Sequence, residues 1–497
     1  MQVEDHHGES RAPGAPRRTA AAPSRTAATP TLLGAQLLFN IGFYGVVPFL
    51  ALVLTDDFAL AGTAVGVILG VRTFAQQGLF LVGGTLTDRF GARGVIVVGC
   101  GVRTAGFLTL AASLESAPPS LPLFVAGTVL TGLGGALFSP ALNTLVAAAD
   151  LRTTTRDRRR PASSADATSR SPRATLFAWL TVTGEVGAAI GPLLGAALLG
   201  WGFATVAASG AALFAAIGAI LWHLLPGADR PTTPPAIHSP PPEPHDSAAT
   251  SPPPEPCNSA TTSVAPQPGG SATTSARTSG LVVTRTATPH RRLWASLHDR
   301  RFVRFAALHA VDLVAYNQLY LSLPLALGRA DEGAALVGWL FAWVSVLTLT
   351  LQLPLARGCA RLGPGRSLRI GYALSASAFA TLALAAILSP EEWPAWLPML
   401  AASLMITGHL IAQPTALSTV PAFAAGRPTG SFFGLLSTMG GVAVLLGNLV
   451  VGSLLDAGAA WPLGAALPWV ALALLPLISA IGIGRVIPAT THSTTAH

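Results

Sequence analysis

The sequence has no lysine: all 30 basic residues among its 497 are arginine. A phosphate-binding loop of the form GxxxxGK[ST] needs its lysine, so ATP hydrolysis through such a loop is excluded. Any pumping must draw on an ion gradient or on a partner chain. Charge is scarce too, at 10% of residues, against about 25% in soluble globular chains. There are only three cysteines. Cys100 and Cys359 lie in or beside apolar runs and Cys257 in a polar stretch, with neither metal-ligand spacing nor a disulfide framework. No HExxH helix, no nucleophile elbow and no cluster of metal ligands occurs, so no enzyme chemistry, cofactor or metal is expected. The opening 30 residues are polar and lack the short apolar run of a secretion signal. The first long apolar run is therefore expected to act as the insertion signal.

What is present is hydrophobic length. Hydrophobic residues make up 51% of the chain and the mean hydropathy is +0.55. About 20 apolar residues in a helix cross a bilayer. Such runs fall at roughly 31–54, 62–85, 94–114, 121–149, 174–200 and 203–225, and again at 302–326, 335–357, 367–388, 396–420, 430–454 and 462–484. The expected fold is an all-α membrane protein of about twelve transmembrane helices in two six-helix bundles. Residues 31–225 form the first bundle and 299–486 the second. The segment 226–298, rich in Pro, Ser, Thr and Ala, cannot build a core and reads as a disordered cytoplasmic linker. Residues 1–30 and 487–497 read as cytoplasmic tails.

Net charge is +8 with a pI of about 10.5, which in a soluble protein would suggest nucleic acid. Here the arginines sit in loops, and no nucleic-acid partner is expected. Loops after the second, fourth, sixth, eighth and tenth runs carry them: Arg89 and Arg93, then Arg152 to Arg173, Arg291 to Arg301, Arg357 to Arg369, and Arg427. The alternate loops are acidic or neutral, and only Arg329 departs from this. The positive-inside rule then puts both termini and the linker in the cytoplasm of a multi-pass plasma-membrane protein. The lipid bilayer is its surroundings, and a monomer is expected.

The two halves repeat. GARGVIVVG (91–99) aligns with GPGRSLRIG (363–371), GGALFSPALNTLV (134–146) with GHLIAQPTALSTV (408–420), and TGEVGAAIGP (183–192) with MGGVAVLLGN (439–448). Parallel repeats of this kind occur in transporters that bind substrate between two halves.

The stretch GGTLTDRFGARG (83–94) resembles the loop motif of the major facilitator superfamily, G-x-L-x-D-R-x-G-R-R/K. Gly84, Leu86, Asp88, Arg89, Gly91 and Arg93 fall on the pattern, and the twelve-run plan agrees with the family over its whole length. The resemblance implies a conformational latch between the halves, made by Gly84, Asp88, Arg89, Gly91 and Arg93. Read without it, the stretch is a tight cytoplasmic turn with positive-inside arginines. The second half has Ala360 where the first has Asp88, so the latch is expected to be one-sided. GEVGAAIGPLLGAAL (184–198) resembles the family's antiporter motif, G-x-x-x-G-P-x-x-G-G, through Gly187, Gly191, Pro192 and Gly195, with Ala196 replacing the last glycine. That resemblance implies proton-driven export; the plain reading is close helix packing. A third family motif has an arginine four residues before GxG in the fourth helix. Thr128 stands there, so that proton-relay group is absent.

Four ionisable residues lie deep in apolar runs: Arg72, Arg103, Glu185 and Asp312. Each costs about 2.5–3.5 kcal/mol at a helix centre on insertion scales, which makes intramembrane charges functional candidates. Mutual pairing of arginine and carboxylate would offset the cost. Glu185 and Asp312 are the proton-coupling candidates, because carboxyl groups removed from water can exchange protons near neutral pH. His309, Asp312, Tyr316 and Tyr320 share one helical face by spacing. With Asn40, Tyr44, Arg72, Gln76 and Gln413, the residues His309, Tyr316 and Tyr320 are the candidates to line a substrate cavity. Gln77, Asn143, His409 and Asn448 are weaker ones, and His409 reads as structural.

The expected function is secondary active transport by alternating access: proton-coupled export of small amphipathic molecules or drugs, with small molecule and protons as partners. An importer or metabolite permease on the same fold is the alternative. If the loop is a latch, Asp88→Asn should cut transport severalfold while membrane expression stays near wild type. Uptake or efflux normalised to blotted protein checks this.

Overall fold

A computed structural model describes residues 28–159, 176–225, 296–327, 333–388, 393–394, 396–425, 430–458, 461 and 464–487. The tails and the central linker expected from the sequence lie outside the described residues but for their edges, as do Arg329 and Arg427. Every described element is helical. The first span is α1 (Ala28–Val46), a single 3-10 turn through Pro48, and α2 (Leu50–Asp56). The second is α3 (Gly62–Thr73), a π turn over Phe74–Gly78, and α4 (Phe80–Phe90). The third to sixth are α5 (Ala92–Glu115), α6 (Leu121–Arg159), α7 (Leu176–Leu199) and α8 (Phe203–Leu224). The seventh is α9 (Arg300–Asn317), a turn, and α10 (Ser322–Leu327). Then follow α11 (Gly333–Leu362), α12 (Pro364–Leu388), α13 (Trp396–Ala424), α14 (Gly430–Gly458) and α15 (Leu467–Gly482).

Ten of these spans are long and apolar enough to cross a membrane by length and composition. The other two, the second and the seventh, are broken into shorter helices. Their breaks coincide with polar residues: the π turn holds Gln76 and Gln77, and α9 ends at Asn317. π turns of this kind concentrate at functional sites. Several helices outrun the expected spans. α6 continues to Arg159, ten residues past the apolar run, because nothing in 150–159 is Gly or Pro and a helix need not stop at the bilayer edge.

Glycines set both the turns and the packing. Gly91 ends α4 at φ 85°, and its repeat counterpart Gly363 separates α11 from α12 at φ 77°, a conformation only glycine adopts cheaply. The repeat also holds in the packing. A Cβ on Gly99 would sit 3.0 Å from the Gly134 carbonyl, and one on Gly371 would sit 2.8 Å from that of Gly408. Those are the matched glycines of the two halves, and each pair joins the helices at the same place.

Two close helix-on-helix contacts between the halves stand out among the described residues. The second span lies flush on the eleventh: Cβ atoms on Gly66 and Gly452 would collide with the Asn448 and Gly62 carbonyls. The fifth lies on the eighth, where a Cβ on Gly338 would be 3.3 Å from the Pro192 carbonyl. The remaining antiporter-like glycines, Gly187, Gly191 and Gly195, face the first span within their own half, against Leu37, Ile41 and Gly45.

Neighbouring glycines in the second span differ sharply. A Cβ on Gly83 would run into the Ala136 carbonyl of α6, whereas one on Gly84 would meet nothing within 4 Å. Gly83→Ala should therefore cost about 1–3 kcal/mol through overpacking. Gly84→Ala should be neutral, or stabilising by about 0.5–1 kcal/mol through reduced chain entropy. Thermal unfolding in detergent should show a lower midpoint for the first variant only.

Candidate functional site

A cavity of about 190 Å³ lies between the halves. Its walls come from the first, fifth, seventh, eighth and tenth spans. Tyr44, Glu185, Tyr316, Phe341, His409 and Gln413 line it, and Ser345, Thr348 and Gln352 add polar atoms along α11. Glu185 and Ala188 come from the first half and face His409 and Gln413 of the second across the space.

In this wall His409 bonds a buried carboxylate. His409 Nδ1 is 2.8 Å from Asp312 Oδ2, and Asp312 is 2% exposed. The other carboxylate oxygen, Oδ1, is buried with no hydrogen-bond partner. The His409 ring stacks on Tyr316 at 4.4 Å. One turn before Asp312, His309 is held at both nitrogens, with Nε2 2.9 Å from Gln413 Oε1 and Nδ1 2.9 Å from the Tyr372 hydroxyl. With the amide oxygen toward the ring, Nε2–H donates to Gln413 and Nδ1 accepts from Tyr372. The tenth span thus meets the seventh through two histidine contacts, at positions 409 and 413, one helical turn apart.

Aromatic rings form the opposite wall. Tyr44 and Tyr320 rings are 6.4 Å apart, Tyr320 and Phe341 are 5.2 Å apart, and Tyr44 and Phe341 are 6.1 Å apart. The first half supplies Tyr44, and the second supplies the others. Toward the arginine-poor end, a buried amide chain crosses between the halves. Asn448 Nδ2 donates to Asn317 Oδ1 at 2.8 Å, Asn317 Nδ2 donates to Thr73 Oγ1 at 3.2 Å, and Ser322 Oγ donates to Gln318 Oε1 at 3.0 Å.

The Major Facilitator Superfamily model matches residues 32–149 and 160–448. The chain belongs to this superfamily. An MFS-type transporter of Mycobacterium tuberculosis is 29% identical to it, over 90% of each chain. The multidrug resistance protein MdtH of Escherichia coli is 27% identical, over 91% of this chain and 92% of that one. Among solved structures, an auto-inhibited POT family peptide transporter superposes with a TM-score of 0.64 at 16% identity, covering 93% of this chain and 96% of the other. The nucleoside transporter NupG does so at 0.62 and 13%, covering 92% and 98%. At those identities the superpositions establish the shared fold. The protein is thus a multi-pass membrane protein of a transporter superfamily.

Within the superfamily fold the sequence-derived candidates separate into groups. Glu185, Tyr44, Tyr316 and Gln413 line the cavity, while Asp312, His309 and Tyr320 stand directly behind its wall. Asn40 donates to the Gly184 carbonyl at 2.7 Å, holding the first span to the fifth. Arg72 donates to Gln76 Oε1 at 3.0 Å and lies 4.9 Å over the Phe43 ring. Arg103 is fully buried over Phe39, Phe43 and Phe214, at 4.3, 4.8 and 5.2 Å, and none of its side-chain nitrogens has a hydrogen-bond partner among the described residues. The described contacts of Arg72 and Arg103 include no carboxylate; the pairing expected from their charges is made instead by Asp312 with His409. Cation–π contact contributes about 2 kcal/mol or more when desolvated, which offsets part of the burial cost.

The superfamily loop motif is placed as follows. Gly91 makes the turn, Gly84 faces open space, and the Arg89 guanidinium lies 5.4 Å over the Phe90 ring. Arg93 bonds the Trp222 carbonyl at the end of the sixth span and lies 5.0 Å over that indole. Its contact is therefore within the first half. The Asp88 side chain is outside the described residues.

His409, ranked only as a weaker candidate from the sequence, lines the cavity, and Phe341 and Tyr372, which the sequence did not single out, touch its candidate residues. His409 and Gln413 are spaced i, i+4 on one helix, which was the available signal. Phe341 and Tyr372 look like ordinary core residues in their helices, and only the packing reveals what they touch.

Proposed function

We propose that the protein is a proton-coupled exporter of small amphipathic molecules that works by alternating access. The arrangement of Glu185 on one half, facing the His409–Asp312 pair on the other across a cavity, carries this reading. Ionisable groups deep in a membrane are expensive, and they mark proton and substrate paths. The half-aromatic, half-polar wall suits a solute with an apolar body and one polar or charged end. The similarity to MdtH, whose name gives a role in multidrug resistance, supports the same substrate range. The GxxxGP stretch at Gly187–Pro192 supports the direction. We further assign the arginine-bearing ends of the helices to the cytoplasm of the cell membrane, following the positive-inside rule.

Alternating access needs the halves to part at one end while closing at the other. Here the cavity is sealed toward the arginine-poor end by the amide chain from Thr73 to Ser322 and by the flush second and eleventh spans. This is the inward-facing half of the cycle under that orientation. The proton reaching Glu185 or Asp312 and the solute filling the cavity compete for the same space, and that competition would couple their movements.

Export of fluorescent amphipaths from inverted vesicles, with and without a protonophore, tests the reading. Glu185→Gln and Asp312→Asn should each reduce gradient-driven transport about tenfold or more, the loss of about 1.4 kcal/mol in the coupled step. Both should leave expression intact. Transport that survives collapse of the gradient removes the proton coupling. Uptake in the opposite direction under the same gradient favours the importer alternative.

A further inference from the structure

The second span begins without a cap of its own. Its N-cap position is Ala61, whose side chain makes no capping bond, although the first backbone N–H groups of any helix need partners. The cap comes from the other half, almost 400 residues away. Asp456, near the end of α14, accepts from Gly62 N at 2.6 Å through Oδ1, and from Thr63 N at 2.8 Å and Thr63 Oγ1 at 2.6 Å through Oδ2. Both carboxylate oxygens are engaged. Below this clamp, Gly62 and Gly452 bring the two backbones into contact, and a Cβ on Gly62 would already lie 3.0 Å from Asp456 Oδ1.

We propose that Asp456 is the gate residue of the arginine-poor end. It acts through the helix N-terminus, where a negative charge and hydrogen-bond acceptors are favoured together. Among the described residues, the side-chain cap of this helix comes from the half that must move away. Parting the halves here takes Asp456 away from Gly62 N, Thr63 N and Thr63 Oγ1 at once, and Ser453 Oγ, 3.4 Å from Thr63 Oγ1 on the same far helix, leaves with it. A cap placed at Ala61 would have stabilised the helix equally in both states and gated nothing. The proposal also gives the antiparallel second and eleventh spans one carboxylate near each C-terminal end, Asp88 on α4 and Asp456 on α14, at opposite ends of the same helix pair. The inference rests on alternating access as proposed above, but not on proton coupling, the solute or the direction of transport.

The test reads access to the sealed end directly. Ser322 is buried (1% exposed) and bonded to Gln318 on the seventh span near this end. With the native cysteines replaced, Ser322→Cys is introduced into the full chain, and its labelling by a water-soluble maleimide is followed in proteoliposomes without any substrate. Asp456→Ala should speed labelling about five- to tenfold, the shift in state populations that loss of a helix cap produces. The double variant Ala61→Ser with Asp456→Ala separates gate from simple cap. It should recover the thermal stability of the parent while labelling stays fast. Unchanged labelling in Asp456→Ala would overturn the proposal, and so would a return to slow labelling in the double variant. If Asp456→Ala does not reach the membrane, Asp456→Asn, which keeps one acceptor without the charge, should label at an intermediate rate; labelling at the parental rate would then count against the gate. Loss of proton-coupled transport in the earlier assay leaves these outcomes unaffected, so the two readings can fail separately.

Discussion

The backbone contact between the second and eleventh spans fixes everything else about this molecule. Two helices from different halves approach so closely that a Cβ on Gly66 or Gly452 would collide with the facing backbone, and one on Gly62 or Gly70 would be crowded at 3.0 Å. Lipid offers no hydrophobic drive for helices to associate, so such contacts depend on close packing and on polar groups that have nowhere better to go. Here both devices are used along one line: small residues through the middle, the Asn317–Asn448 amides beside them, and the Asp456 carboxylate at the end. With the Asn317–Thr73 bond, they hold the two halves together at the arginine-poor end. Glycine also lets the contact break without cost in side-chain packing, which a large interlocked interface would not.

The cavity then follows from which polar groups are left over. Two arginines in the first half are absorbed by aromatic rings, with Phe43 serving both. The carboxylates are not neutralised by them. Asp312 turns instead to a histidine, and Glu185 stands in the cavity wall without an arginine partner. A guanidinium is always charged and would lock a carboxylate in its ionised form, whereas histidine changes charge near neutral pH. A histidine beside Asp312, in place of an arginine, fits the proton coupling proposed above.

Much of this was legible in the chain. The apolar runs and the arginine-bearing loops anticipated every described span, and the repeat alignment matched Gly99 with Gly371 and Gly134 with Gly408, which then proved to pair across equivalent helices. The helical spacing of His309, Asp312 and Tyr316 holds within α9, whereas the helix ends at Asn317 and Tyr320 reaches Tyr316 from the turn beyond it. What remained hidden depends on contacts between distant segments. Asp456 reads as an ordinary loop acid until the eleventh span is laid beside the second. A lone histidine in a long apolar helix, as at position 409, looks structural until Asp312 is found 2.8 Å away. The expectation that buried arginines would pair with buried carboxylates followed charge alone, and aromatic packing around Phe43 and Phe214 won.

The central claim is that proton and solute occupy one site between the halves. Proton release on binding measures this most directly. Purified protein in weakly buffered detergent is mixed with permanently charged amphipaths, which cannot themselves give up a proton, and pH is followed with an indicator dye. For any compound that binds, the account predicts release of protons on binding, reduced or abolished in Glu185→Gln. Binding of the same compounds with no proton release in the unaltered protein would contradict it.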